Sequence, residues 1–149
     1  MADVFKCGYI WRSARTPKSF LSKSSSNQGK QYNFERDLNN IQKLLLSAGA
    51  PVNSRTTALQ NAPPLVVSSA TGCLPFVKLL LEFNADKNAA NDLGRTATSF
   101  AAENGHVVIL EQLHLAGADI FQTDNDGLSP VVHAARAART ECIDFLLSR

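Results

Sequence analysis

Residues Asn91 to Asp119 read "NDLGRTATSFAAENGHVVILEQLHLAGAD". A Gly-Arg-Thr (from Gly94) is followed by paired alanines (Ala101, Ala102), a Gly-His (Gly105, His106), a leucine-rich run and a closing Gly-Ala-Asp. Small residues at such fixed places serve backbone geometry and close packing. They also return. Gly94 and Gly127 lie 33 residues apart, as do Ala101 and Ala134, Leu113 and Leu146, Gly72 and Gly105, Leu80 and Leu113, and Ala85 and Ala118. A period near 33 held at so many anchors is the mark of a solenoid.

Each unit reads as a turn, a short helix, a tight turn, a longer helix and a loop. Gly127, after Asp124, Asn125 and Asp126, is a turn glycine able to take φ > 0. Ser129-Pro130 opens a helix, with Ser129 as N-cap and Pro130 at the first helical position, where a missing N–H costs nothing. In the preceding unit Thr96-Ala97 opens the equivalent helix, and Pro75 falls at the start of a second helix. The alanine pairs lie mid-helix, where small side chains let the next unit's helix approach. Val107 to Leu115 and Cys142 to Leu147 carry aliphatics at helical spacing, a core-facing stripe.

Those residues resemble the ankyrin repeat, whose pattern is Asp-x-x-Gly-x-Thr-Pro-Leu-His-x-Ala-Ala-x-x-Gly-His, an aliphatic helix, then Gly-Ala-Asp. The unit from Asn91 departs from it at Ala97, Thr98 and Ser99; the next keeps Ser129-Pro130 and Ala134-Ala135 but has Ala138-Arg139 for Gly-His. An earlier unit keeps Pro64-Leu65 and Gly72, with Ser68-Ser69 for the alanines and about two extra residues in its finger. "IQKLLLSAGAPVN", from Ile41, resembles the second helix and loop of an opening unit. The resemblance implies an all-α helical solenoid over residues 33–149, divided into a partial unit 33–55 and units at about 56–90, 91–123 and 124–149.

In the family, fingers and first helices form a concave binding face. By that resemblance its variable positions fall at Arg55, Thr71, Asp92, Arg95, Glu103, Asn104, Asn125, Asp126, Leu128 and Arg136. A mixed-charge groove with three arginines suits an acidic or mixed-charge peptide or loop of a partner protein. Phe121 stands where the family usually has Asn, and is expected either to cover the end of the array or to contact a partner. The last unit stops at its second helix, which suggests a truncated or spliced form of a larger protein.

Residues 1–32 differ in kind. Six cations face Asp3 alone, a net charge of +5 that leaves −3 for the remainder. "SKSSSNQGK", from Ser22, has too little apolar surface to fold alone, so a disordered basic leader is expected. Tyr9 and Trp11 form a possible anchor within it, and Thr16-Pro17, between Arg15 and Lys18, a possible phosphosite. A transit peptide matches poorly, because Asp3 comes early and no amphipathic Arg helix follows.

Cys7, Cys73 and Cys142 are odd in number and far apart, which favours free thiols and a reducing cytoplasmic or nuclear setting. No apolar run approaches the length of a membrane span. His106, His114 and His133 are not spaced as a ligand set, and no nucleophile or phosphate-loop motif is present. The expectation is a non-enzymatic interaction module without cofactor or metal, acting as a monomer and holding another protein as adaptor or competitive regulator. The alternative is nucleic-acid or anionic-surface binding through the leader; five charges alone give weak, salt-sensitive affinity.

Overall fold

The structure is a computed structural model and describes residues 43–44 and 46–149. Among these residues the regular elements are six helices: α1 (Pro64–Thr71), α2 (Leu74–Glu82), α3 (Ala97–Asn104), α4 (Val107–Leu115), α5 (Pro130–Arg136) and α6 (Thr140–Leu147). They form three pairs. Within each pair the helices pack on one another. Across pairs α1 packs on α3 and α3 on α5, while α2 packs on α4 and α4 on α6. Two layers result, first helices on one side and second helices on the other. Ahead of them Lys43, Leu44, Leu46 and Ser47 are helical and Gly49 is left-handed (φ 90°), as expected for the end of an opening unit.

The 33-residue period is visible in the backbone hydrogen bonds. The first helix of each pair ends with the same bond closing over a left-handed residue. Cys73 N–H donates to the Ser68 carbonyl (3.0 Å), His106 to Ala101 (2.9 Å) and Arg139 to Ala134 (2.9 Å). The left-handed positions are Gly72, Gly105 and Ala138, and the first two bear no Cβ to strain there. Ala138 does, at φ 54°. Second helices close alike: Ala85 donates to Leu80 and Ala118 to Leu113, both at 2.9 Å, over Asn84 and Gly117.

Small residues let the first helices approach. Ser68, Ser69, Ala101, Ala102 and Ala134 are all fully buried. The Ser68 hydroxyl donates to the Leu65 carbonyl at 3.0 Å. That of Ser69 is buried with no hydrogen-bond partner among the described residues. Between the layers Phe76, Val77, Leu80, Ile109, Leu110, Leu113, Phe145 and Leu146 form one continuous core. Each fully buried leucine contributes about 2 kcal/mol, and no single pair has enough of them to stand alone.

Helix starts follow the expected residues with one difference. Pro64 and Pro130 open α1 and α5, and Pro75 stands in the first turn of α2. Thr96 caps α3 by accepting from Ser99 N–H at 3.4 Å. Ser129 has the extended backbone of an N-cap, but its side chain makes no capping bond. Pro130 already supplies the fixed φ that starts the helix there.

Cys142 is a free, buried thiol, and burial first, then the charge of Glu141, pushes its pKa up. Cys73 is buried but disulfide-bonded, which corrects the expectation of a free thiol there and removes its support for a reducing setting. The leader, with Tyr9, Trp11 and Thr16, lies outside the described residues.

Candidate functional site

One side chain folds each of the two later fingers. Asn91 Oδ1 accepts from the N–H groups of Leu93 (3.1 Å) and Arg95 (2.9 Å). One period on, Asp124 Oδ1 accepts from Asp126 (3.0 Å) and Leu128 (2.9 Å). Their remaining atoms do different things. Asn91 Nδ2 donates to the Leu59 carbonyl of the finger before it at 2.9 Å. A carboxylate has no such N–H, and Asp124 Oδ2 meets His133 Nε2 at 2.7 Å instead. Both members of that pair are buried. Burial by itself raises the Asp124 pKa. Hydrogen bonds from Leu128 N–H, His133 and Asp126 N–H, with the charge of His133, outweigh it and hold the carboxyl below its ordinary value.

The first finger is longer. Thr56 N–H and Oγ1 both donate to the Ala62 carbonyl, at 3.0 and 2.9 Å, and span two more residues than the Asn91–Arg95 and Asp124–Leu128 closures. Leu59, Gln60 and Asn61 are consecutive left-handed residues in it, where the later fingers need only Gly94 and Gly127.

Successive fingers are laced together. Asp92 N–H donates to the Gln60 carbonyl and Asn125 N–H to Leu93, each at 3.0 Å. Asn125 Nδ2 adds a bond to the Asp92 carbonyl at 3.0 Å. The loops at the other end carry a second ladder. Asn53 Oδ1 accepts from Asp86 N–H (2.9 Å) and Asn88 Oδ1 from Asp119 N–H (2.8 Å). Phe121 takes the corresponding place in the last loop, cannot accept such a bond, and is 59% exposed.

The concave positions therefore divide. Arg55 Nη1 pairs with Asp92 Oδ1 at 3.0 Å, an exposed contact worth little by itself. Thr71 Oγ1 donates back to the Val67 carbonyl (3.1 Å) and Asn104 Nδ2 to Phe100 (2.9 Å), both within their helices. Arg95 lies 4.1 Å over the Phe100 ring and pairs with Glu103. Asn125 laces fingers. The side chains of Asp126 and Arg136 are used by no hydrogen bond or ion pair among the described residues, and with half-buried Leu128 they line one open cleft of about 430 Å³. The Arg95–Glu103 pair, the Asp124–His133 pair, Leu93 and Ala137 complete its lining. It lies between two successive fingers and their first helices, α3 and α5.

Leu93, Asp124, His133 and Ala137 line this cleft and were not among the expected site residues. Leu93, 48% exposed between Asp92 and Gly94, was legible as an apolar residue on a finger tip. The His133–Asp124 pair was not, because it joins a finger to the helix after it. Among the described residues no cluster of three His, Cys, Asp or Glu side chains could hold a metal ion, and no helix is long and apolar enough to cross a membrane. His106 lies against Gly72 of the preceding unit, where a Cβ would come within 2.8 Å of the ring. Arg139, one period later, lies against Gly105 in the same way.

Comparison with known proteins agrees with this geometry. A family model described as ankyrin repeats, in three copies, matches residues 33–124. The chain is 35% identical over 113 residues to the ankyrin repeat and KH domain-containing protein mask-1 of Caenorhabditis elegans, a match covering 72% of this chain and 4% of that protein. It is 40% identical over 72 residues to ankyrin repeat domain-containing protein 63 of Mus musculus, covering 48% of this chain and 18% of that one. The Homo sapiens protein of the same name is 39% identical over 72 residues, with 48% and 19% covered. The chain thus spans less than a fifth of the length of each of these relatives.

Proposed function

The chain belongs to the ankyrin-repeat family, and from that premise we propose that it holds a partner protein on its concave face, as an adaptor or competitive regulator and without catalysis of its own. Ankyrin repeats are generally protein–protein interaction modules. One observation carries the reading to a place on this chain. The two concave charges that no bond among the described residues uses, Asp126 and Arg136, line a single cleft with half-buried Leu128 between them. A cleft of that volume accepts several side chains of a partner. Its lining combines apolar surface with charges of both signs, the composition of a recognition surface more than of a reaction site.

The basic leader supplies the competing reading, because its net charge of +5 attracts polyanions. Two variants separate them, each tested for retention of captured proteins and of nucleic acid. The concave-face reading expects deletion of residues 1–32 to leave protein capture intact. It expects the double variant Asp126→Arg/Arg136→Glu, both at exposed positions, to abolish capture. The opposite pattern, with capture lost on deletion and unchanged in the double variant, rejects it in favour of the leader.

A further inference from the structure

The cleft contains an ion pair in one unit and half of one in the next. Glu103 and Arg136 are 33 residues apart, at the same place on α3 and α5, and Arg95 and Leu128 are likewise equivalent on their fingers. In the earlier unit the finger cation, Arg95, is neutralised by the helix carboxylate, Glu103. In the later unit the charge has moved to the helix. Arg136 is exposed, faces a finger that offers Leu128, and has no carboxylate partner among the described residues. Asp124 does not serve it: its oxygens accept from Asp126 N–H, Leu128 N–H and His133, and it forms no ion pair with Arg136.

We infer that this cleft selects an acidic–apolar segment of the partner protein: an Asp or Glu side chain paired with the Arg136 guanidinium, beside an aliphatic side chain lodged against Leu93 and Leu128. The inference rests on the concave-face reading above and names the chemistry of its partner. Glu103 against Arg95 shows in cis the contact that the partner makes in trans. Arginine suits the task because its planar fork takes a carboxylate through two parallel hydrogen bonds. The exposed side chain of Leu93 and the half-buried one of Leu128 supply apolar surface next to the charge, and that removal from water strengthens the pair. Asp126, exposed on the same cleft and likewise unpaired among the described residues, disfavours an acidic run there.

Selection from a library of random displayed peptides on the immobilised full chain tests this, with hydrogen exchange locating the bound peptides. On the wild type, Asp or Glu next to an aliphatic residue should be enriched about tenfold at one position, the worth of one charged hydrogen bond. Arg136→Lys should keep the acidic preference in weaker form. Arg136→Glu should invert it toward Lys and Arg, a gain that a misfolded protein cannot produce. Peptides that protect the cleft but show no acidic preference, or keep it unchanged in Arg136→Glu, overturn the inference and leave the concave-face reading standing. Peptides that protect no region of the concave face overturn both.

Discussion

The pair α3–α4 and the pair α5–α6 are built on one backbone plan and differ in how they use it. Asn91 and Asp124 fold their fingers through the same two hydrogen bonds, yet Asn91 reaches back to the preceding finger while Asp124 turns to His133 on its own helix. Gly94 lies under Asn125 of the next finger, where a Cβ would come within 2.4 Å of Asn125 Oδ1; a Cβ on Gly127 would meet nothing within 4 Å. Gly105 is left-handed without strain, whereas Ala138 carries a Cβ in the same conformation. Arg95 is neutralised and Arg136 is not. The unit from Asn91 reaches its neighbour through Asn91 Nδ2 and pairs Arg95 with Glu103 inside itself. The unit at 124–149 bonds internally through Asp124 and His133 and is tied to the unit before it through Asn125 and Arg139.

The largest test of that contrast is Asp124→Ala. It removes acceptors from two backbone N–H groups and leaves buried His133 unpaired, so a loss of about 3 kcal/mol in urea unfolding is expected. Asn91→Ala, which strands fewer buried groups, should cost less; an equal or greater cost would mean that both fingers are held alike. Acid adds a second reading of the same carboxylate. Its folded pKa lies below the unfolded value near 3.8. Its stabilisation is therefore complete above that value and is lost as pH falls through the lower folded one. Urea midpoints of Asp124→Asn should fall less steeply with pH in that window than those of wild type.

Next in size is the pair Gly94→Ala and Gly127→Ala. Both place a Cβ at similar positive φ, 74° and 75°. The second should cost about 1 kcal/mol for the left-handed conformation alone, and the first about 2.5 kcal/mol, because the lacing to Asn125 is also pushed apart. Similar thermal midpoints for the two would show that the fingers do not bear on each other.

Two smaller changes should stabilise the chain. Ser69→Ala deletes a buried hydroxyl that has no hydrogen bond among the described residues and restores the alanine that α3 has at the equivalent Ala102, for a gain of about 1 kcal/mol. Ala138→Gly relieves the left-handed alanine and should gain about 0.5 kcal/mol after the entropy of the added glycine. A loss of stability in Ala138→Gly would mean that Ala138 packs in a way its exposure does not suggest.

Much of this was legible beforehand, and the reason is local. The left-handed glycines at Gly72 and Gly105, the prolines at helix starts, the small residues between first helices and the two-residue extension of the first finger each answer a backbone requirement within one unit. Repetition then multiplies a weak signal into a clear one. The concave positions were legible only as places. Nothing in the spacing of Arg95 and Glu103 distinguishes a neutralised arginine from a free one such as Arg136, and the capping role expected of the Ser129 side chain was taken over by Pro130.

By itself the sequence settled the period, the helix pairs, the finger turns and the family, because those depend on residue types recurring at fixed separations. Tertiary structure alone decided which concave side chains pair with others and which do not. The His133–Asp124 bond joins a finger to the helix after it, and the lacing of Asn125 to the finger before it forms only when the units stack. On the concave face Thr71, Asn104 and the Arg95–Glu103 pair are satisfied within their own units, Arg55 and Asn125 bond across units, and Arg136 pairs with no side chain among the described residues.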